Sequence, residues 1–147
     1  DVDYFKDVND QFGHNEGDRV LRSIADCCRE QLRSYDLLAR HGGDEFAAIF
    51  CAQTPEEMDA PIARLLSAVN ELTLHGNDGL RLSLSIGTAI AHPAANDCSC
   101  MQLVEAADAC LYESKNSGRD QAHVTTIVDG QPARSRQIVA TDRLQLV

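Results

Sequence analysis

The feature that most confines this chain is a pair of glycines followed at once by two acids, set between two apolar runs. In ARHGGDEFAAIF, residues 39 to 50, the flanks LLA and FAAIF read as short buried strands, and Gly42 and Gly43 between them read as a tight hairpin turn. A plain hairpin has no use for Asp44 and Glu45 where its second strand should begin. Acids are poor strand formers, and near a core they are costly unless paired or bound to a metal. Taken alone, the segment is equally a solvated turn carrying ordinary surface acids.

Helical periods flank the hairpin. YFKDVNDQFG spaces Phe5, Val8 and Phe12 three and four apart and ends on Gly13, which predicts a short amphipathic helix. GDRVLRSIADCCREQL sets Leu21, Ile24, Cys28 and Leu32 on one face and predicts a longer helix with Asp18 at its start. The hairpin follows over 37–51. TPEEMDAPIARLLSAVNEL opens as a capping box, with Thr54, a proline at the first helical position and Glu57 three residues on. Met58, Leu65, Leu66, Val69 and Leu72 supply its apolar stripe, while Pro61 predicts a kink or a late start. In LRLSLSIGTAI, Leu82, Leu84, Ile86, Thr88 and Ile90 alternate with small or polar residues, as in a half-buried strand. A helix over 99–114 is expected next, with Leu103, Val104, Ala107 and Leu111 inward and Gly118 past its end, and AHVTTIV reads as a last strand. From Asp129 to residue 147 the pattern weakens to a linker or loosely attached tail. Helices inserted between strands that include an antiparallel hairpin predict an α+β sandwich of the split βαβ, ferredoxin-like kind. DVD at the start reads as the end of a strand whose earlier part is truncated.

One domain is expected from 147 residues, and 44% hydrophobic with 24% charged residues suffices for a core. The apolar runs are too short to span a bilayer, and no signal-peptide pattern opens the chain. A formal net charge of -10 argues against a bulk field that attracts nucleic acid, yet it suits a nucleotide delivered with metal ions, because acidic pockets collect Mg²⁺. Cys27, Cys28, Cys51, Cys98, Cys100 and Cys110 form no C-x-x-C pair, which argues against zinc. Several fall in apolar patterns as small core residues, and the setting read from them is reducing and cytoplasmic.

Asp1, Asp3, Asp44 and Glu45 are the candidate metal-binding carboxylates. Mg²⁺ favours a few carboxylate oxygens, with waters and substrate phosphates completing its shell. If the DVD strand end pairs beside the hairpin, Asp1 and Asp44 meet across the sheet, and the two glycines remove side chains where a triphosphate would approach. Lys6, Lys115 and Arg119 are candidate phosphate groups, although Lys115 and Arg119 at a helix end would equally complement its dipole. Asn9 and Asp18 form a candidate guanine reader, since a carboxylate can accept both edge N–H groups of guanine, which adenine does not offer. Both are also favoured helix caps.

DVDYFKDVNDQFGHNEGD, RHGGDEF, LSIGTA and ADACLYESKNSGRD, in this order, closely resemble the GGDEF family, the diguanylate cyclases. The resemblance spans residues 1–128. It implies an α/β sandwich with a mainly antiparallel central sheet, similar to the palm of nucleotidyl cyclases and some polymerases. It implies a reaction in which two GTP become cyclic di-GMP, a bacterial second messenger, and two pyrophosphates. Carried onto this sequence, Asp1, Asp44 and the Val2 carbonyl hold Mg²⁺ or Mn²⁺, and Glu45 serves a metal or the attacking 3′-hydroxyl at the Gly42 and Gly43 turn. Asn9 and Asp18 match guanine-reading positions, and Lys6, Lys115 and Arg119 match phosphate contacts. Family variants that accept ATP replace the acid found here as Asp18, which favours GTP.

The resemblance further implies a homodimer for catalysis, because each domain holds one GTP and the product joins two. It implies upstream sensor domains that set dimer formation. Arg33 and Asp36 in RSYD match the family's R-x-x-D site for inhibition by product, and such a pair suits guanine and phosphate. His41 departs from an aromatic such as Tyr and is given no catalytic role. The family's D-x-L-T-G-L-x-N-R segment and most of its first strand are not in the sequence, so this stretch alone is expected to fold poorly. The alternative reading is a non-catalytic GTP- or cyclic di-GMP-binding regulatory domain, in which the hairpin acids are typically degraded; here they are intact.

Overall fold

The computed structural model describes residues 1–52, 54–73, 80–91 and 98–140. Helix α1 is Phe5–Phe12 and helix α2 is His14–Glu30. One residue, Gly13 at φ 82°, separates them. It donates to the Asn9 carbonyl (2.8 Å) and its own carbonyl accepts from Glu16 and Gly17, so it ends one helix and starts the next. The second helix therefore begins four residues before Asp18, correcting the expectation that Asp18 opens it. Val8, Val20, Leu21, Ile24 and Cys28 face the core.

Strands β1, Leu37–Gly42, and β2, Glu45–Ile49, form the expected antiparallel hairpin, with Leu37 opposite Ile49 and Arg40 opposite Phe46. They are not buried strands. Leu37 is 62% exposed and Ile49 64%, while Leu38 and Phe46 pack against the core. Alternating side chains serve two faces, and only one is covered. The alanine-rich run hid that alternation in the sequence.

Residues 1–3 tie the hairpin to the rest of the sheet. The Val2 N–H donates to the Asp44 carbonyl (3.2 Å), Asp3 N–H to Ser83 (3.0 Å) and Ser85 N–H to Asp1 (3.0 Å), with Val2 bridged antiparallel to Leu84. Val2 is 1% exposed, so this rung lies inside the core.

A 3₁₀ turn, Pro55–Met58, precedes helix α3, Asp59–Asn70. Pro61 falls third in α3, where no intrahelical partner for its nitrogen is needed, which gives the expected late start. Thr54 makes no side-chain cap; its carbonyl instead accepts from the Glu57 N–H (3.2 Å), so the expected capping box does not form. A capping box does form at Ser99 and Gln102, opening helix α4, Cys100–Asn116.

Strand β3, Ser85–Ala91, and strand β4, Gln121–Val128, are parallel, with α4 as the crossover. The other pairings are antiparallel. The fold is thus the expected α+β sandwich, with a mixed sheet. Gly87 lets α4 lie directly on β3: a Cβ there would stand 2.1 Å from the Ala107 carbonyl and 2.3 Å from the Leu111 nitrogen. The inward face of α4 runs through Ala106, Cys110 and Ser114, and Val104, expected inward, is 56% exposed.

The segment expected to trail loosely from Asp129 folds back. Asp129 (φ 50°) and Gly130 (φ 73°) make a hairpin turn, and strands β5, Gln131–Pro132, and β6, Arg136–Ile138, pair with β4. Ile138 and Ala140 are buried. The rest of the expected tail, 141–147, lies outside the described residues. Among the described residues no helix is long and apolar enough to cross a membrane.

Candidate functional site

The site grows around the rung formed by residues 1–3 and the hairpin turn. The backbone bond from Val2 to Asp44 sets Asp1 and the Asp44–Glu45 step on adjoining segments. Gly43 adopts φ 52°, a conformation that glycine takes without strain, and the Arg40 Nε donates to its carbonyl (2.8 Å). A Cβ at Gly42 or Gly43 would meet nothing within 4 Å, so the space over the turn is open. Glu45 and His41 are exposed and Asp44 half-buried.

Among the described residues, no three His, Cys, Asp or Glu side chains already converge as a metal cage. The two segments that the Val2–Asp44 backbone bond joins carry hard oxygens: the carboxylates of Asp1, Asp44 and Glu45 and the Val2 carbonyl. Mg²⁺ is commonly held by one or two carboxylates plus substrate phosphates, so this set fits such an ion. Asp1 is paired in this structure with a candidate phosphate group, Lys115, whose Nζ stands 2.9 Å from Asp1 Oδ2.

Asp3 is placed elsewhere, correcting its assignment among the metal carboxylates. Its side chain is fully buried. It accepts from Ser83 Oγ (2.7 Å), Ser85 Oγ (2.6 Å) and the Asp120 N–H (3.0 Å). Those three donors take up three of its roughly four acceptor sites and the buried side chain is closed to solvent, and the carboxylate staples the first rung to β3 and to the start of β4. The alternating serines of LSLS were the available signal.

Arg119 follows α4 in a left-handed conformation (φ 63°). Its guanidinium lies 4.8 Å from the Tyr4 ring centroid, and its Nε 3.9 Å from Asp3 Oδ1. Lys115 and Arg119 therefore reach the rung from the end of α4. Lys6 is exposed in the first turn of α1.

Asn9 and Asp18 are not caps. Tyr4 precedes α1 and Gly13 precedes α2, and neither end carries a side-chain cap. Asn9 lies over Gly17: a Cβ at Gly17 would stand 2.0 Å from Asn9 Oδ1. The glycine before Asp18 thus makes room for the Asn9 amide on the facing helix, a role invisible without knowing how α1 and α2 cross.

Arg33 and Asp36 lie apart from these groups, in the turn between α2 and β1. The Arg33 N–H donates to Asp36 Oδ2 (2.9 Å), and its guanidinium donates to the Tyr35 hydroxyl (2.8 Å). They line a shallow pocket with Gln31, Phe50 and Arg64. Arg64 comes from α3, and no local spacing pointed to it.

The sequence pattern described as "Diguanylate cyclase, GGDEF domain" matches residues 1–121. The chain belongs to the GGDEF family. The GGDEF domain is 36% identical over 128 residues to diguanylate cyclase DosC of Escherichia coli, a match covering 84% of this chain and 27% of that protein. Solved relatives share the fold. One is diguanylate cyclase SiaD with its activator SiaC from Pseudomonas aeruginosa (35% identity, TM-score 0.74, 86% of this chain and 47% of that one). Another is the GGDEF domain of DgcB from Caulobacter crescentus in complex with c-di-GMP (32%, TM-score 0.73, 86% and 73%).

Proposed function

We propose that this GGDEF domain is the catalytic part of a diguanylate cyclase, condensing two GTP into cyclic di-GMP and two pyrophosphates. The observation that carries the reading is the Val2 to Asp44 hydrogen bond, which sets two acid-bearing segments edge to edge under an open glycine turn. In this reading Asn9 and Asp18 hold the guanine edge, and Asp18 selects GTP by accepting from both of its N–H groups. Lys6, Lys115 and Arg119 bind the phosphates, Lys115 leaving Asp1 for the incoming anion. Asp1, Asp44, Glu45 and the Val2 carbonyl would hold Mg²⁺ or Mn²⁺, which when bound lowers the pKa of the 3′-hydroxyl and offsets charge on the leaving oxygen. Glu45 serves that ion or the hydroxyl proton. The 3′-oxygen of one GTP attacks the α-phosphorus of the other, the bond to the β-phosphate breaks, and pyrophosphate leaves; the second linkage repeats the step. Since one domain holds one GTP, the reaction requires two domains facing each other about a two-fold axis.

Arg33 and Asp36 are proposed to bind product and restrain the domains. Control by an upstream sensor domain and a cytoplasmic setting belong to the same reading. The test is cyclic di-GMP formation from GTP and Mg²⁺ across protein concentrations, beside Asp44→Ala. Product rising faster than linearly with protein, and lost in the variant, is expected. Full turnover by Asp44→Ala would overturn the assignment of the hairpin acids. Saturable binding of GTP or cyclic di-GMP without product would support the regulatory alternative.

A further inference from the structure

We infer that Tyr4 is a positioning residue, whose ring holds the Arg119 guanidinium ready for the phosphates of a nucleoside triphosphate. The inference rests on the reading of Arg119 as a phosphate contact. Three consecutive residues, Gly118, Arg119 and Asp120, have φ of 114°, 63° and 49°, and Tyr4 has φ 56°. Left-handed backbone is sparse for residues other than glycine, and such conformations cluster at functional sites. The Arg119 N–H closes the end of α4 on the Ser114 carbonyl (3.0 Å), which fixes where its side chain starts. The guanidinium then lies over the Tyr4 ring at 4.8 Å, within cation–π range, with the buried Asp3 carboxylate at 3.9 Å on its Nε. Ser83, Ser85 and the Asp120 N–H hold that carboxylate still. Tyr4 is itself 60% exposed, so its ring contributes little to the core. A long flexible cation is thereby held between a fixed acid and an aromatic face, and loses less freedom when an anion arrives.

The experiment compares Tyr4→Phe, Tyr4→Asn, Arg119→Ala and the double variant Tyr4→Asn with Arg119→Ala. Asn tolerates the left-handed backbone but lacks the ring, so it separates ring from fold. Tyr4→Asn should raise KM for GTP roughly two- to fivefold, the range of an exposed cation–π contact, with kcat nearly unchanged. Tyr4→Phe should match the parent. Binding of 3′-deoxy-GTP should weaken in step with KM while binding of guanosine does not, and the effect of Tyr4→Asn should vanish in the Arg119→Ala background. An equal loss for guanosine, or a loss that persists without Arg119, overturns the proposal in favour of a structural role. An effect of Arg119→Ala with none from Tyr4→Asn overturns it while sparing the phosphate assignment. Unchanged KM and 3′-deoxy-GTP binding in Arg119→Ala overturns both.

Discussion

Gly87→Ala probes the seam that places Lys115 and Arg119, the proposed phosphate contacts. The added Cβ would sit 2.1 Å from the Ala107 carbonyl, 2.3 Å from the Leu111 nitrogen and 2.8 Å from the Leu111 Cα. All three are backbone atoms of one helix, so no side chain can swing away. Helix α4 must lift from β3 by nearly an ångström or slide along it. Overpacking of this kind costs about 1–3 kcal/mol, and the closeness of three backbone contacts puts this case near the top of that range. A loss of about 3 kcal/mol lowers Tm by about 10 °C in a domain of this size. The lift also disturbs function, because the helix carries Lys115 to Asp1 and Ser114 Oγ to the Ile86 carbonyl (2.8 Å). Thermal unfolding by circular dichroism, with GTP titration on the folded variant, reads both effects. A Tm within about 2 °C of the parent would refute the packing analysis, and a large Tm loss with unchanged GTP affinity would refute the link from the seam to the site.

Gly17→Ala presses a Cβ onto Asn9 Oδ1, the end of a side chain that can turn aside. It should weaken GTP binding about tenfold, a net loss of one good hydrogen bond, with little change in Tm; fluorescence binding and a melt check the split. Arg33→Ala should relieve inhibition by added cyclic di-GMP at unchanged initial rate, and unchanged inhibition would count against that site. Alkaline pH should destabilise the fold. Burial, then Cys27 nearby, pushes the Cys28 thiol from 9.0 to about 12, and burial also raises Cys27 and Cys110. The unfolded chain then loses these protons first, so stability is intact below pH 9.0 and falls as pH rises toward 12, by roughly 1 kcal/mol per pH unit for the Cys28 thiol. Urea midpoints from pH 8 to 10.5 measure the slope, and Cys28→Ala should flatten it.

The sequence by itself determined the elements whose signals are local. Phe5, Val8 and Phe12 with Gly13 marked α1, the Gly-Gly pair marked the hairpin, and the four ordered motifs named the family, because each spans neighbours along the chain. The Asp129–Gly130 turn was equally legible, since Asp-Gly is a hairpin signal, but the polar stretch beyond it obscured the strands that follow. Only the tertiary structure decided the rest. Which face of β1 and β2 is wet depends on what packs against them. Whether Asp3 is a cation ligand or a buried staple depends on Ser83, Ser85 and Asp120, which lie some 80 to 117 residues away. The roles of Gly17 and Gly87 depend on how closely a second helix crosses, and that of Tyr4 on where α4 ends. Hydrophobic period and turn chemistry act over a few residues and can be read from order alone. Electrostatic and steric roles depend on distances across the fold, and chain order does not carry them.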